Sequence, residues 1–245
     1  MHRFYIPPAE WDSARLRLSG SEAHHARNVL RFEQGDKAVL FNGRGREITA
    51  EVTSVGREIA LRKLHESTTE PLRCRITLGQ AIPKGKNMDL IVQKAVEIGA
   101  AEIVPIMSDR TVVRLDPKDA EQKQQKWQTV AIEAAKQCGQ NWLPEVHIPQ
   151  TTAAFLRDRP SADLQLIGSL ESDARNLKKI LADFAEEKGQ QRPSSVLMMI
   201  GPEGDFTPAE LNLARASGCR PITLGPIILR VETAAIYCLS VLSYE

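Results

Sequence analysis

The sequence has few of the features that announce a membrane protein, a metalloprotein or a disulfide scaffold. Its four cysteines, Cys74, Cys138, Cys219 and Cys238, are scattered, with no C-x-x-C pair and no clustering among the five histidines. That spacing predicts buried thiols of a reducing compartment and no metal site. No apolar run approaches the roughly 20 residues that cross a bilayer. The opening MHRFYIPPAEW also lacks the apolar core of a signal peptide. A soluble, cytoplasmic protein with no membrane role is expected. A strong charge bias is missing too, since the net charge is +1. Residues 1–75 hold 13 Lys/Arg against 10 Asp/Glu, a small surplus. Any nucleic-acid surface must therefore be a local basic face.

Two nucleotide fingerprints are absent as well. No strand leads into G-x-G-x-x-G, which argues against a dinucleotide site or an ordinary Rossmann-type methyltransferase. The stretch GQAIPKGKN, Gly79–Asn87, is close to a P-loop in composition. It places five residues between its glycines where a P-loop has four, and Asn87 stands where Ser or Thr binds magnesium. A ligand must be held by other loops.

What is present is a globular chain, 42% hydrophobic and 26% charged, organised around its C-terminal stretch. Two apolar runs, Val196–Ile200 and Pro221–Leu224, each end in a Gly-Pro turn, Gly201-Pro202 and Gly225-Pro226. Each is followed by a helix, so strand–loop–helix occurs twice. Thr207, Pro208 and Glu210 spell an N-cap, a first-turn proline and a capping box, and Gly218 marks the stop. The last helix opens near Arg230-Val231-Glu232, with Glu232 placed to complement the dipole. From Ala234 to Leu242 it is apolar on nearly all sides, so burial on every face is expected, in the core or against a second subunit. Loops at the carboxyl ends of parallel strands bind ligands in open α/β sheets.

Upstream, residues 1 to about 70 read as β-rich. SGSEAHHARNVLRF predicts a short helix in which Val29 and Leu30 pack inward. Three short strands follow, separated by Asn42-Gly43-Arg44-Gly45 and Gly56-Arg57, and Glu47–Val52 alternates as a half-buried strand does. Short strands with tight turns suggest a barrel. Thr68-Thr69-Glu70-Pro71 is the expected linker. Beyond it strands alternate with helices: a strand at Arg75–Ile82, a helix at Asn87–Ile98 stopped by Gly99, and a strand at Glu102–Met107. A long helix at Pro117–Cys138, a short strand near Val146 and a helix at Thr152–Arg157 come next. A strand at Leu164–Leu170 and a helix at Ala174–Glu187 complete a βαβ pattern. Lys84, Lys86, Arg110 and Arg114 fall in loops between elements. His2, His65 and His147 have no evident partners.

GPEGDF together with LGPIILRVETA resembles the C-terminal signature of the SPOUT RNA methyltransferases, and of the RsmE family in particular. HHARNVLR, PKGKNMDLIVQKAVEIGA, SDRTVVR and EAAKQCGQ resemble further stretches of that family, so the likeness spans most of the chain. The sequence departs at Asp205, where the family usually has a glycine, at Ile227, usually basic, and at Gln140, often arginine.

The resemblance implies an α/β fold, a SPOUT-type parallel sheet with a C-terminal trefoil knot. A small PUA- or OB-like β-barrel would precede it, giving an RNA-binding domain at 1–70 and a methyltransferase domain at 71–245. It implies methyl transfer from S-adenosylmethionine to N3 of a uridine in 16S ribosomal RNA, within an assembled 30S subunit, by a homodimer that uses no metal. Carried onto this chain, the cofactor loops are Ser169 and Leu170, then Ile200, Gly201, Pro202, Glu203 and Gly204, then Leu224, Gly225, Ile228 and Leu229. Arg230 and Glu232 are the catalytic choices: Arg230 to stabilise the reacting uridine or its phosphate, Glu232 as base or cofactor partner. His25, Arg27, Arg31, Lys84, Lys86, Arg110 and Arg114 are the RNA-facing choices. The alternative is a non-catalytic RNA-binding protein of the same fold.

Overall fold

A computed structural model describes residues 1–159 and 161–244. The N-terminal strands are β1 (His2–Tyr5), β2 (Arg17–Leu18), β3 (Lys37–Phe41), β4 (Arg46–Val55) and β5 (Ile59–Thr68), with helix α1 (Gly20–His24) between β2 and β3. They form one sheet in the order β1-β3-β4-β5-β2, in which only the β1–β3 pair is parallel. The alternation in β4 puts Ile48, Ala50 and Val52 into a core with Phe4, Leu18, Leu40 and Ile59. Shifts in the β4–β5 register at Thr49/Ala50 and Val52/Ser54 let these ten-residue strands bend. The turn before β4 depends on Gly45, at φ 83°, where a Cβ would come within 2.6 Å of the Thr69 carbonyl and 2.8 Å of the Trp142 ring. Trp142 belongs here because this compact unit comprises Met1–Pro71 together with Ile132–Leu143.

After α1 the helix widens into one π turn, His25–Val29, and closes with the Phe32 N–H on the Ala26 carbonyl and Arg31 at φ 54°. The extra residue rotates the face. Val29 is therefore 61% exposed, contrary to the inward packing expected of it, while Phe32 is buried and Leu30 packs on the core only in part.

The second unit comprises Leu72–Ala131 and Pro144–Glu245. In chain order it holds β6 (Arg75–Ala81), α2 (Asn87–Ile98), β7 (Glu102–Met107), α3 (Pro117–Cys138, its last residues counted with the first unit), β8 (Glu145–Val146), β9 (Gln150–Thr151), α4 (Thr152–Asp158), β10 (Leu164–Gly168), β11 (Arg175–Asn176), α5 (Leu177–Lys188), β12 (Ser195–Ile200), α6 (Pro208–Ala216), β13 (Arg220–Thr223) and α7 (Val231–Ser243). Every pairing in its sheet is parallel, in the order β11-β13-β10-β12-β6-β7-β8, with β9 also on β7. The strands read as continuous apolar runs because helices cover both faces. α2 and α7 pack on each other, and α7 also lies on β6 and β12. Phe155 of α4 meets Gly79, whose added Cβ would sit 2.9 Å from its ring. The Gly79 of the P-loop-like stretch thus serves packing inside a strand.

Three further expectations need correction. The strand expected over Leu164–Leu170 ends at Gly168, releasing Ser169 and Leu170 into a loop. The helix expected from Ala174 starts at Leu177, because Arg175 and Asn176 pair with β13 and Asn176 then caps it by accepting the Lys178 N–H. Cys138 is exposed, although Cys219 and Cys238 are buried, with thiols pushed up to about 11 and about 12 by desolvation. The capping box at Thr207 and Glu210, with Pro208 in the first turn, forms as read.

Candidate active site

β13, β10 and β12 are neighbours, so the loops that leave their carboxyl ends converge. Between those loops and the first turn of α7 lies a cavity of about 460 Å³. Its apolar wall comes from Leu170, Ile200, Pro202, Leu224, Ile227 and Ile228, and Gly168, Gly201 and Gly225 bring backbone to its surface. Its polar side chains are those of Asn87, Ser169, Glu203, Asp205, Thr223, Arg230 and Glu232. Of the residues anticipated from sequence for the cofactor, all but Gly204 line this space, and both catalytic choices, Arg230 and Glu232, do so. Sequence reasoning missed Asn87 as a lining residue; its only signal was its position at the start of α2.

Backbone constraints hold the loops in place. Asp205 occupies the left-handed region at φ 60°, which asparagine and aspartate tolerate better than other side chains. Its Oδ2 accepts the Leu170 N–H at 3.1 Å and its Oδ1 the Phe206 N–H at 2.7 Å. Glu203 accepts the Lys84 N–H at 3.0 Å. Arg110 donates to the Gly204 carbonyl at 2.5 Å and the Phe206 carbonyl at 3.4 Å. Beneath the loop, buried Glu210 accepts the Asp109 N–H at 3.0 Å, the Thr152 hydroxyl at 2.5 Å and the Thr207 N–H at 2.9 Å, so its carboxylate is fully used.

Inside the cavity, Asn87 Nδ2 donates to Glu232 Oε2 at 3.2 Å, joining the first residue of α2 to the first turn of α7. Arg230 is the N-cap of α7 and is exposed, and among the described residues it has no ion pair. Leu170, Ile227 and Ile228 are 64%, 70% and 77% exposed, so the mouth of the cavity has an apolar rim.

The RNA-facing choices divide between the two units. His25, Arg27 and Arg31 are exposed in the first, where Arg27 donates to the Gly56 carbonyl at 2.8 Å. Lys84, Lys86, Arg110 and Arg114 are exposed in the second. Arg110 is occupied with the Gly204 loop, and Arg114 donates to the Asp109 carbonyl at 2.9 Å. Lys84 and Lys86 make no side-chain hydrogen bond among the described residues and flank Gly85 beside Asn87. His147, left without a partner by sequence, lies 3.2 Å from Glu102, which also takes Arg75. No group of three or more metal-ligating side chains occurs among the described residues. No helix among them is long and apolar enough to cross a membrane.

A ligand cavity walled by loops from parallel strands, next to a cationic helix start, is what an α/β RNA methyltransferase presents. The comparisons agree: an RNA methyltransferase domain matches residues 70–243, and an RNA methyltransferase PUA domain matches residues 18–62. The chain belongs to the RsmE family, the ribosomal RNA small subunit methyltransferases E. It is 32% identical to the protein of that name from Bacillus subtilis, over all of this chain and 97% of the relative. The Synechocystis relative is 29% identical, with 98% and 76% covered. Among solved structures, the Neisseria gonorrhoeae ribosomal RNA small subunit methyltransferase E bound to S-adenosyl methionine aligns at a TM-score of 0.84 and 34% identity, covering 98% and 96% of the two chains. A Legionella pneumophila protein with bound cofactor SAM aligns at 0.86 and 34%, covering the same shares.

Proposed function

We propose that this chain is a cytoplasmic enzyme that methylates N3 of one uridine in the 16S rRNA of the small ribosomal subunit, using S-adenosylmethionine. The observation that carries this reading is the cavity itself, set at the carboxyl ends of three neighbouring strands with Arg230 at its edge. Its volume of about 460 Å³ lies within the usual range for small-molecule sites. Its apolar wall suits an adenine between Leu224, Ile228 and Leu229, and its glycines allow backbone amides to reach ring nitrogens. The residues present therefore fit the cofactor, and the loops at Ser169–Leu170, Ile200–Gly204 and Leu224–Leu229 hold it.

Bound there, S-adenosylmethionine supplies an electrophilic methyl carbon. The protein's own task is to present a uracil N3 that has lost its proton. Orientation of the two reactants contributes on the order of several kcal/mol. The Arg230 guanidinium, at the edge of the cavity, stabilises negative charge as it develops on the uracil.

Three further features belong to the same reading. The smaller unit is a PUA-like barrel that holds RNA by phosphate contacts from Arg27 and Arg31, which position it without reading sequence. β13 lies against β10 on the side opposite β12, an order that supports a trefoil-knotted cofactor site. The protein acts as a homodimer. In α7, Ala234, Ala235, Cys238, Leu239 and Leu242 are buried within the chain, whereas Tyr237, Val241 and the C-cap Tyr244 are 46%, 37% and 74% exposed. A second copy covers that face. The substrate is the assembled 30S subunit.

The test is transfer of labelled methyl groups to small subunits lacking the modification, with Arg230→Ala alongside. Label on N3 of one uridine, lost in Arg230→Ala while cofactor binding persists, is the expected result. Cofactor binding with no labelled uridine overturns the substrate assignment. Failure to bind cofactor favours a non-catalytic RNA-binding protein.

A further inference from the structure

The cavity holds one side-chain pair that the reading above does not use. Asn87 Nδ2 carries two protons, and one of them goes to Glu232 Oε2 at 3.2 Å. The second proton, and Glu232 Oε1, remain for a ligand, and both residues line the same cavity as Arg230. The three side chains give the cavity a guanidinium donor, a carboxylate acceptor and an amide donor.

We propose that Arg230, Glu232 and Asn87 form a donor–acceptor–donor array that recognises the imide edge of uracil and selects it over cytosine. This rests on the uridine assignment above. The imide edge presents the opposite pattern: a carbonyl oxygen, the N3–H and a second carbonyl oxygen. Cytosine presents an amino donor, an unprotonated N3 and one carbonyl. Its N3 lone pair would face the Glu232 carboxylate, and its amino group would face a donor. A polar site left mismatched in this way discriminates strongly.

The array also directs the proton. Glu232 takes the proton as the N3–H bond breaks, and the electron pair stays on N3; with the cofactor bound, that pair would form the N3–C bond to its methyl carbon while the C–S bond breaks and its electrons stay on sulfur, which leaves as the neutral thioether. The negative charge spreads onto the two carbonyl oxygens, each of which faces a donor, Arg230 on one side and Asn87 on the other. Asn87 has a second effect, because its bond to Oε2 fixes the rotamer that leaves Oε1 toward the base.

The experiment uses the full-length protein and a small-subunit RNA fragment carrying either uridine or cytidine at the position that wild type labels. Asn87→Asp is nearly isosteric, removes the donor and places a second carboxylate beside Glu232. Its kcat/KM should fall roughly 10- to 100-fold, and the acid limb of its pH–rate profile should move to higher pH, since paired carboxylates share a proton. Glu232→Gln can donate to cytosine N3, so the ratio of uridine to cytidine fragment affinities should shrink in that variant. Far-UV circular dichroism and thermal melts report that each variant is folded, and titration with S-adenosylmethionine without RNA identifies the variants that still bind the cofactor. Asn87→Ala repeats the kinetic test without adding charge. An unchanged pH profile and an unchanged uridine/cytidine ratio, in variants that bind the cofactor, overturn the array alone. If wild type labels no uridine, the array and the substrate assignment fall together.

Discussion

Asp205 reaches backward across the cavity to take the Leu170 N–H at 3.1 Å, so the loop after β12 holds the loop after β10. A glycine at this position accepts the left-handed φ of 60° freely but supplies no such tie. Asp205→Gly is therefore expected to relax backbone strain and leave the melting temperature within about 2 °C. S-adenosylmethionine affinity should weaken several-fold, because the loop is no longer pre-organised. Asp205→Ala keeps the strain and loses the tie, at a cost of about 1–2 kcal/mol. Calorimetric titration and thermal melts of the three proteins check both statements.

Arg110 separates two roles that sequence alone could not. Its guanidinium bonds the Gly204 and Phe206 carbonyls, which makes it a brace for the cofactor loop. Arg110→Ala should weaken cofactor binding, while the dependence of RNA affinity on log salt keeps its slope. A phosphate contact predicts the reverse, a slope lower by about 1 with cofactor affinity intact.

Much of this architecture was legible in the sequence, for physical reasons. α2 and α3 have the expected bounds because each ends in a glycine, Gly99 and Gly139, at φ 91° and 83°. The loops of the cavity were legible because apolar runs stop at Gly-Pro. What could not be read is whatever depends on long-range contact. Asn87 and Glu232 are 145 residues apart, and neither carries a local sign of the other. Val29 looked inward on a 3.6-residue period that the π turn breaks. Arg175 and Asn176 have no strand pattern and pair with β13 only because the sheet edge is there.

Glu102 couples stability to pH. It accepts from His147 and from Arg75, and these bonds hold its carboxyl down to about 2 while raising His147 above its ordinary 6.5. For the depressed carboxylate, the stabilisation is complete above about 4.5 and is lost as pH falls toward 2. For the raised histidine, it is complete below 6.5 and is lost as pH rises through its folded value. Wild type should therefore be more stable at pH 6 than at pH 9. Glu102→Gln should flatten both limbs and cost about 1–2 kcal/mol at pH 6, after allowing for partial solvent screening. Urea unfolding across pH measures this.

The face of α7 carries the last prediction. Tyr237 and Val241 are four residues apart, so they share one stripe of the helix, and Tyr244 follows as its C-cap; all three are exposed. The opposite stripe is packed on β6, β12 and α2, so the exposed one cannot turn inward without emptying the core. Under the proposed homodimer, this face is the contact between subunits. A charge placed at its centre should oppose association without disturbing the buried side. Tyr237→Glu is thus expected to shift the protein from dimer to monomer in sedimentation velocity, with far-UV circular dichroism unchanged. Cofactor binding should weaken in the same variant, because α7 also supplies Glu232 and Ala234 to the cavity and its first turn loses external support. A dimer that survives Tyr237→Glu would place the subunit contact elsewhere on the chain.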